Sequence, residues 1–159
     1  MYIEPILKEM SALGSPDQRT LLPCTAAEIS LLEQNTHLLL PGAYKEFLLT
    51  MGKGAGDLLV GSDVFYQQIG NLQESAKEML SEDAFPQKLP ADAFVFFMHQ
   101  GYQFNFFCTS EGDDPPVYRY FEGKDRDTFP LIYPHFTEFL LEELKSYARF
   151  VQRKRRQTS

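Results

Sequence analysis

The stretch AFVFFMHQGYQFNFFCTSEGDDPPVYRYFEG, residues 93–123, decides the fold. Three runs rich in Phe, Tyr, Val and Met are separated by a turn at Gly101 and by the polar, proline-closed loop Ser110–Pro116. Aromatic and β-branched runs between turn signals read as strands. Consecutive strands joined by short polar loops pair antiparallel, so a meander is expected. In the middle run Tyr102, Phe104 and Phe106 alternate with Gln103, Asn105 and Phe107, which gives one strongly apolar face and one mixed face. TFPLIY, residues 128–133, adds an expected edge strand, where Pro130 is tolerated.

Working outward, the chain before the meander is mostly helical. Ile3, Ile6, Leu7, Met10 and Leu13 recur at spacings of three and four, which predicts a helix over 2–13. Thr25 followed by Glu28 is a capping box and predicts a helix over about 26–36. In LPGAYKEFLLTMGKGAG, Leu40 to Gly56, Pro41 suits the first turn of a helix and Tyr44, Phe47, Leu48 and Met51 form its inner face. Gly52 is expected to close that helix in a left-handed conformation. DLLVGSDVFYQQI reads as strands near 57–60 and 63–69, and Asn71 with Glu74 as the cap of a helix over 72–81. A last helix runs from about 135 into the 150s, with Phe136, Phe139, Leu140, Leu144, Tyr147 and Phe150 or Val151 on one face. The sum is an α+β fold, an antiparallel meander with helices packed mainly on one face. One domain is expected over 1–151, followed by a basic tail at 152–159.

Catalytic patterns are weak. The glycines of GKGAGDLL follow a helix and precede an expected strand, the reverse of a phosphate loop, and lack the GK[ST] ending. They read as a helix stop and turn, with Lys53 a solvated charge. Of the three histidines, His135 with Glu138 offers two ligands where a catalytic zinc needs three. Cys24 and Cys108 form no CxxC, and the serines show no GxSxG or base partner. No catalytic, cofactor-binding or metal-binding residue is therefore assigned.

Charge points to binding instead. Residues 149–159 hold five of the 15 basic residues and none of the 22 acidic ones, which leaves residues 1–148 with ten basic residues and a net charge of −12. Such a body repels nucleic acid and steers toward basic partners. Tyr118, Tyr120 and Glu122 alternate on one strand, flanked by Asp113, Asp114 and Asp125, and these six are the candidate partner-binding residues. An alternative stays open, in which the tyrosines line the core while Val117, Arg119 and Phe121 face outward. The cluster Arg149–Arg156 reads either as a solvated helix end or as a contact for nucleic acid or another acidic surface, and its RKRR run resembles a localisation signal. The first twenty residues lack a secretory apolar core, and no apolar run reaches the ~18 residues of a membrane span. A cytoplasmic protein with no membrane partner is expected.

The run LPGAYKEFLLTMGKGAG resembles the signature of the SUKH superfamily, LP-x-x-Y-x-x-F-L ending in a glycine turn, with Leu40, Pro41, Tyr44, Phe47 and Leu48 matching. Gly101-Tyr102-Gln103-Phe104, Pro116-Val117-Tyr118 and Phe136-Thr137-Glu138-Phe139-Leu140 are similar to the rest of the pattern, so the likeness covers about residues 25–147. GKGAG stands where the family has an Asn-Gly pair, Gly101-Tyr102 where it has Gly-Asp, and tryptophan is absent. The resemblance implies an α+β domain without catalytic residues, of the kind found as immunity proteins in bacterial toxin systems and in a fungal regulator of cell-wall synthesis. It leads to the expectation of a non-catalytic domain that binds and neutralises a cognate, basic, nuclease-type toxin. The alternatives are a small-ligand binder or enzyme with a dispersed carboxylate and tyrosine site, and an intracellular scaffold or regulator.

Overall fold

A computed structural model describes residues 1–123 and 127–158. In chain order the elements are α1 (Glu4–Leu13), β1 (Leu21–Leu22), α2 (Ala26–Thr36), α3 (Gly42–Met51), β2 (Gly54–Ala55) and α4 (Tyr66–Glu82). There follow β3 (Ala93–His99), β4 (Gln103–Cys108), β5 (Val117–Phe121), β6 (Leu131–Tyr133) and α5 (Phe136–Thr158). The main sheet has the order β3-β4-β5-β6, every pair antiparallel, and β1 with β2 forms a separate two-stranded ribbon. The α+β meander is as expected. Pro130 stands just before β6, where its carbonyl accepts the Arg119 N–H at 3.0 Å.

The sheet buries both faces. Helices α1, α2, α3 and α5 pack over one face, against Phe94, Phe96, Phe97, Phe107 and Val117. A bulge at Phe96 shifts the β3–β4 register, so Phe96 and Phe97 both join that side. Tyr44 sits among these rings with centroids 5.2–5.4 Å from Phe94, Phe107 and Phe136. The opposite face carries Val95, Met98, Phe104, Phe106 and Tyr120, covered by Leu72, Ala76, Met79 and Leu80 of α4. The mixed face expected for β4 is therefore buried as well.

The expected strands at 57–60 and 63–69 do not form. Leu59 and Gly61 have φ of 63° and 94°, outside the extended region, and the chain turns there. Asp63 retains one antiparallel bridge to Met98, and α4 begins at Tyr66. Ile69, Leu72, Ala76 and Met79 are spaced three and four apart and all buried, so helical periodicity overrides the β-rich composition of 64–69. Asn71 lies inside this helix rather than capping it.

The glycine cluster is a packing device. Gly52 has φ −64° and is not left-handed, but a Cβ there would lie 2.5 Å from Cys24 Sγ and 2.7 Å from the Leu48 carbonyl. That proximity lets the Cys24 N–H reach the Leu48 carbonyl at 2.8 Å and the Lys53 N–H reach the Leu22 carbonyl at 2.8 Å, tying the end of α3 to β1. Gly56, with φ +59°, closes on Thr20. Lys53 is not a solvated charge. Its Nζ lies 2.7 Å from Glu28, whose other carboxylate oxygen accepts the Thr25 N–H of the capping box at 2.9 Å. Pro41 stands at the N-cap of α3, one position before its first turn.

Candidate partner-binding surface

The loop between β4 and β5 fastens two helices. The Asp113 carbonyl accepts the Ala43 N–H at 2.8 Å and its carboxylate the Gly42 N–H at 3.3 Å, which satisfies the start of α3. Asp114 does the same for α5, accepting the Thr137 N–H at 3.0 Å and the Thr137 hydroxyl at 2.6 Å, while His135 Nδ1–H donates to its carbonyl at 2.9 Å. Both carboxylates thus sit at positive helix ends. The neighbouring Asp92 accepts from the Ser110 hydroxyl and N–H, which holds its carboxyl below the ordinary carboxylate range. Asp113 remains exposed, and Asp114 is half-buried.

Tyr118 and Tyr120 share the α4-covered face of the sheet and are part of its packing. The Tyr118 hydroxyl donates to Glu111 at 3.0 Å, and the Tyr120 hydroxyl makes a short bond to Asp83. Burial, followed by these carboxylates, pushes the Tyr118 phenol up to about 12 and moves Tyr120 in the same direction. On the other side of β5, Val117 is buried, Arg119 half-buried and Phe121 38% exposed. Neither sequence reading describes the strand completely, because both faces are covered at its start and open only at its end. Glu122 is exposed there, and Asp125 lies outside the described residues.

The open end adjoins a cavity of about 330 Å³ lined by Phe85, Tyr120, Phe121, Pro130, Leu131 and others. Leu131, one of its lining residues, is 54% exposed, and the carboxylates of Glu122 and Asp127 are exposed nearby in sequence. Apolar contacts with a charged border are the anatomy of a protein interface.

Two polar groupings escaped the sequence reading because their members are far apart in the chain. Ser62 Oγ and His99 Nδ1 are 2.9 Å apart, but neither residue lines the larger surface cavities. Arg119 Nε donates to the buried Asn105 at 3.0 Å under α5, where burial raises the Glu143 carboxyl and Arg119 partly offsets that rise. Burial also raises the thiols, Cys24 to about 11 and Cys108 to about 12, a protonated state poorly suited to nucleophilic attack. Among the described residues, no three His, Cys, Asp or Glu side chains gather as a metal site, and no helix is long and apolar enough to cross a membrane.

A comparison with curated proteins finds no match. A family model does match, over residues 23–142, from just before the Thr25 capping box through the caps of α3 and α5 to Glu142. That segment holds the whole meander and the Leu40–Leu48 signature, and it leaves out α1 and the distal part of α5. The chain belongs to the SMI1 / KNR4 family (SUKH-1).

Proposed function

We propose that the protein is a non-catalytic, cytoplasmic immunity protein that binds a basic, nuclease-type toxin and masks its active surface. The observation that carries this reading is the net charge of −12 over residues 1–148, on a fold whose family includes toxin-immunity proteins. A nuclease holds phosphates with basic residues, and an acidic inhibitor meets such a surface with fast, electrostatically steered association. Of the six candidate residues, Glu122 and Asp113 offer exposed carboxylates, while Asp114, Tyr118 and Tyr120 hold the surface in shape. The contact we favour centres on Phe121 and Leu131, bordered by Glu122 and Asp127.

The test begins with affinity capture from the native host, followed by co-expression with the captured basic protein. Rescue of growth is expected, together with an association rate that falls at least about tenfold between low and high ionic strength. E122Q and L131A should weaken binding without lowering the melting temperature. No rescue, or capture of no basic protein, would sink the proposal.

A further inference from the structure

We propose that the distal end of α5 is a docking element for a second copy of this chain, received along the outer face of α4. The last fully buried residue of α5 is Leu144, Tyr147 packs against the core with its hydroxyl 3.2 Å from Ser15 Oγ, and Val151 is the last half-buried residue. Residues 152–158 are exposed and continue the helix for about 10 Å beyond it. Arg149, Arg153 and Arg156 follow at spacings of four and three, which aligns them along one side over about 10 Å. Phe150 is 55% exposed beside them, with Lys154 Nζ 5.0 Å from its ring.

A helical extension with little packing is marginal in water, and like charges four apart weaken it further. An acidic surface would remove that cost. The chain carries one of matching length. Glu74, Glu78 and Glu82 stand at spacings of four on the exposed side of α4 and span about 12 Å. Lys77 pairs with Glu74 at 3.4 Å, and the stripe stays net negative. Within one molecule the two stripes are kept apart, because α4 covers one face of the sheet and α5 the other. Between molecules they are complementary in charge and length. A continuous polyanion such as nucleic acid would instead have to approach a body of charge −12. The contact joins different surfaces of two copies, so assembly grows with concentration.

The experiment is sedimentation velocity on the full chain over a concentration series, at low and at high salt, with circular dichroism as the check on folding. The wild type should show a rising average mass at low salt that falls back to monomer at high salt. R149E/R153E/R156E and E74K/E78K/E82K should each stay monomeric alone, and their equimolar mixture should associate again. The neutral R149Q/R153Q/R156Q variant gives a second reading should a reversal variant misfold, and it too should stay monomeric. The proposal fails if the wild type is monomeric throughout at low salt, or if two folded reversal variants do not restore association when mixed. It also fails if the wild type binds a single-stranded oligonucleotide through this stripe without self-associating.

Discussion

At the scale of single residues, the chain is built on close approaches that a side chain would block. Gly52 is the clearest, since its missing Cβ leaves room for Cys24 Sγ and the Leu48 carbonyl. Gly52→Ala is expected to cost about 1–3 kcal/mol, the usual price of overpacking a well-filled core, and to lower the thermal midpoint. A melt with an unchanged midpoint would show that β1 can move away from α3 freely. The glycines were conspicuous in the sequence, but their reason was not, because a left-handed turn and a steric gap select the same residue. Lys53 follows the same pattern, its charge visible in the sequence and its partner Glu28 supplied only by packing of the 50s against the start of α2.

At the scale of elements, the sheet's first edge is sealed by a side chain. Gln73 on α4 accepts the Val95 N–H at 2.9 Å and donates to the Val95 carbonyl at 2.7 Å, in place of a neighbouring strand. Asp63 closes the same edge further along, exchanging both backbone bonds with Met98 at 2.8 and 3.0 Å. An exposed edge templates association with another chain, and this arrangement blocks it. Gln73→Leu should leave both Val95 groups unpaired, destabilise by about 1–3 kcal/mol and increase aggregation on heating. Light scattering during a thermal ramp reads this directly, and an aggregation onset equal to wild type would mean that the helix alone shields the edge.

At the scale of the whole molecule, several tyrosines are held in their neutral form. Tyr44 lies fully inside the ring cluster, and burial drives its phenol well above 10. Tyr118, at about 12, and Tyr120 are raised first by burial and then by Glu111 and Asp83. In the unfolded chain a phenol ionises near 10, so above that pH the native state binds more protons than the unfolded state. The stability these groups contribute is complete below pH 10 and is lost as pH rises toward 12. Denaturant midpoints should therefore fall between pH 9 and pH 11, with phenolate absorbance at 295 nm reaching its full value only on unfolding. Titration of all eight tyrosines near pH 10 in a still-native protein would contradict this burial.

Local periodicity and capping suffice to specify the meander, four of the five α-helices among the described residues in near-final bounds, the Thr25–Glu28 cap and the family signature. The extent of α4 is not legible in the sequence, because residues 64–69 have strand-like composition while the helix already begins at Tyr66 and packs across the β3 edge. The candidate surface was half legible. Alternation placed Tyr118 and Tyr120 together, but whether that face meets solvent depended on α4 and on Phe85, which come from another part of the chain. Asp113 and Asp114 read in the sequence as candidate binding carboxylates, and only the fold shows that they also satisfy the starts of α3 and α5. Burial and hydrogen-bond partnership are properties of contacts between distant segments, and a side chain's role in binding or in support follows from those contacts rather than from its neighbours in sequence.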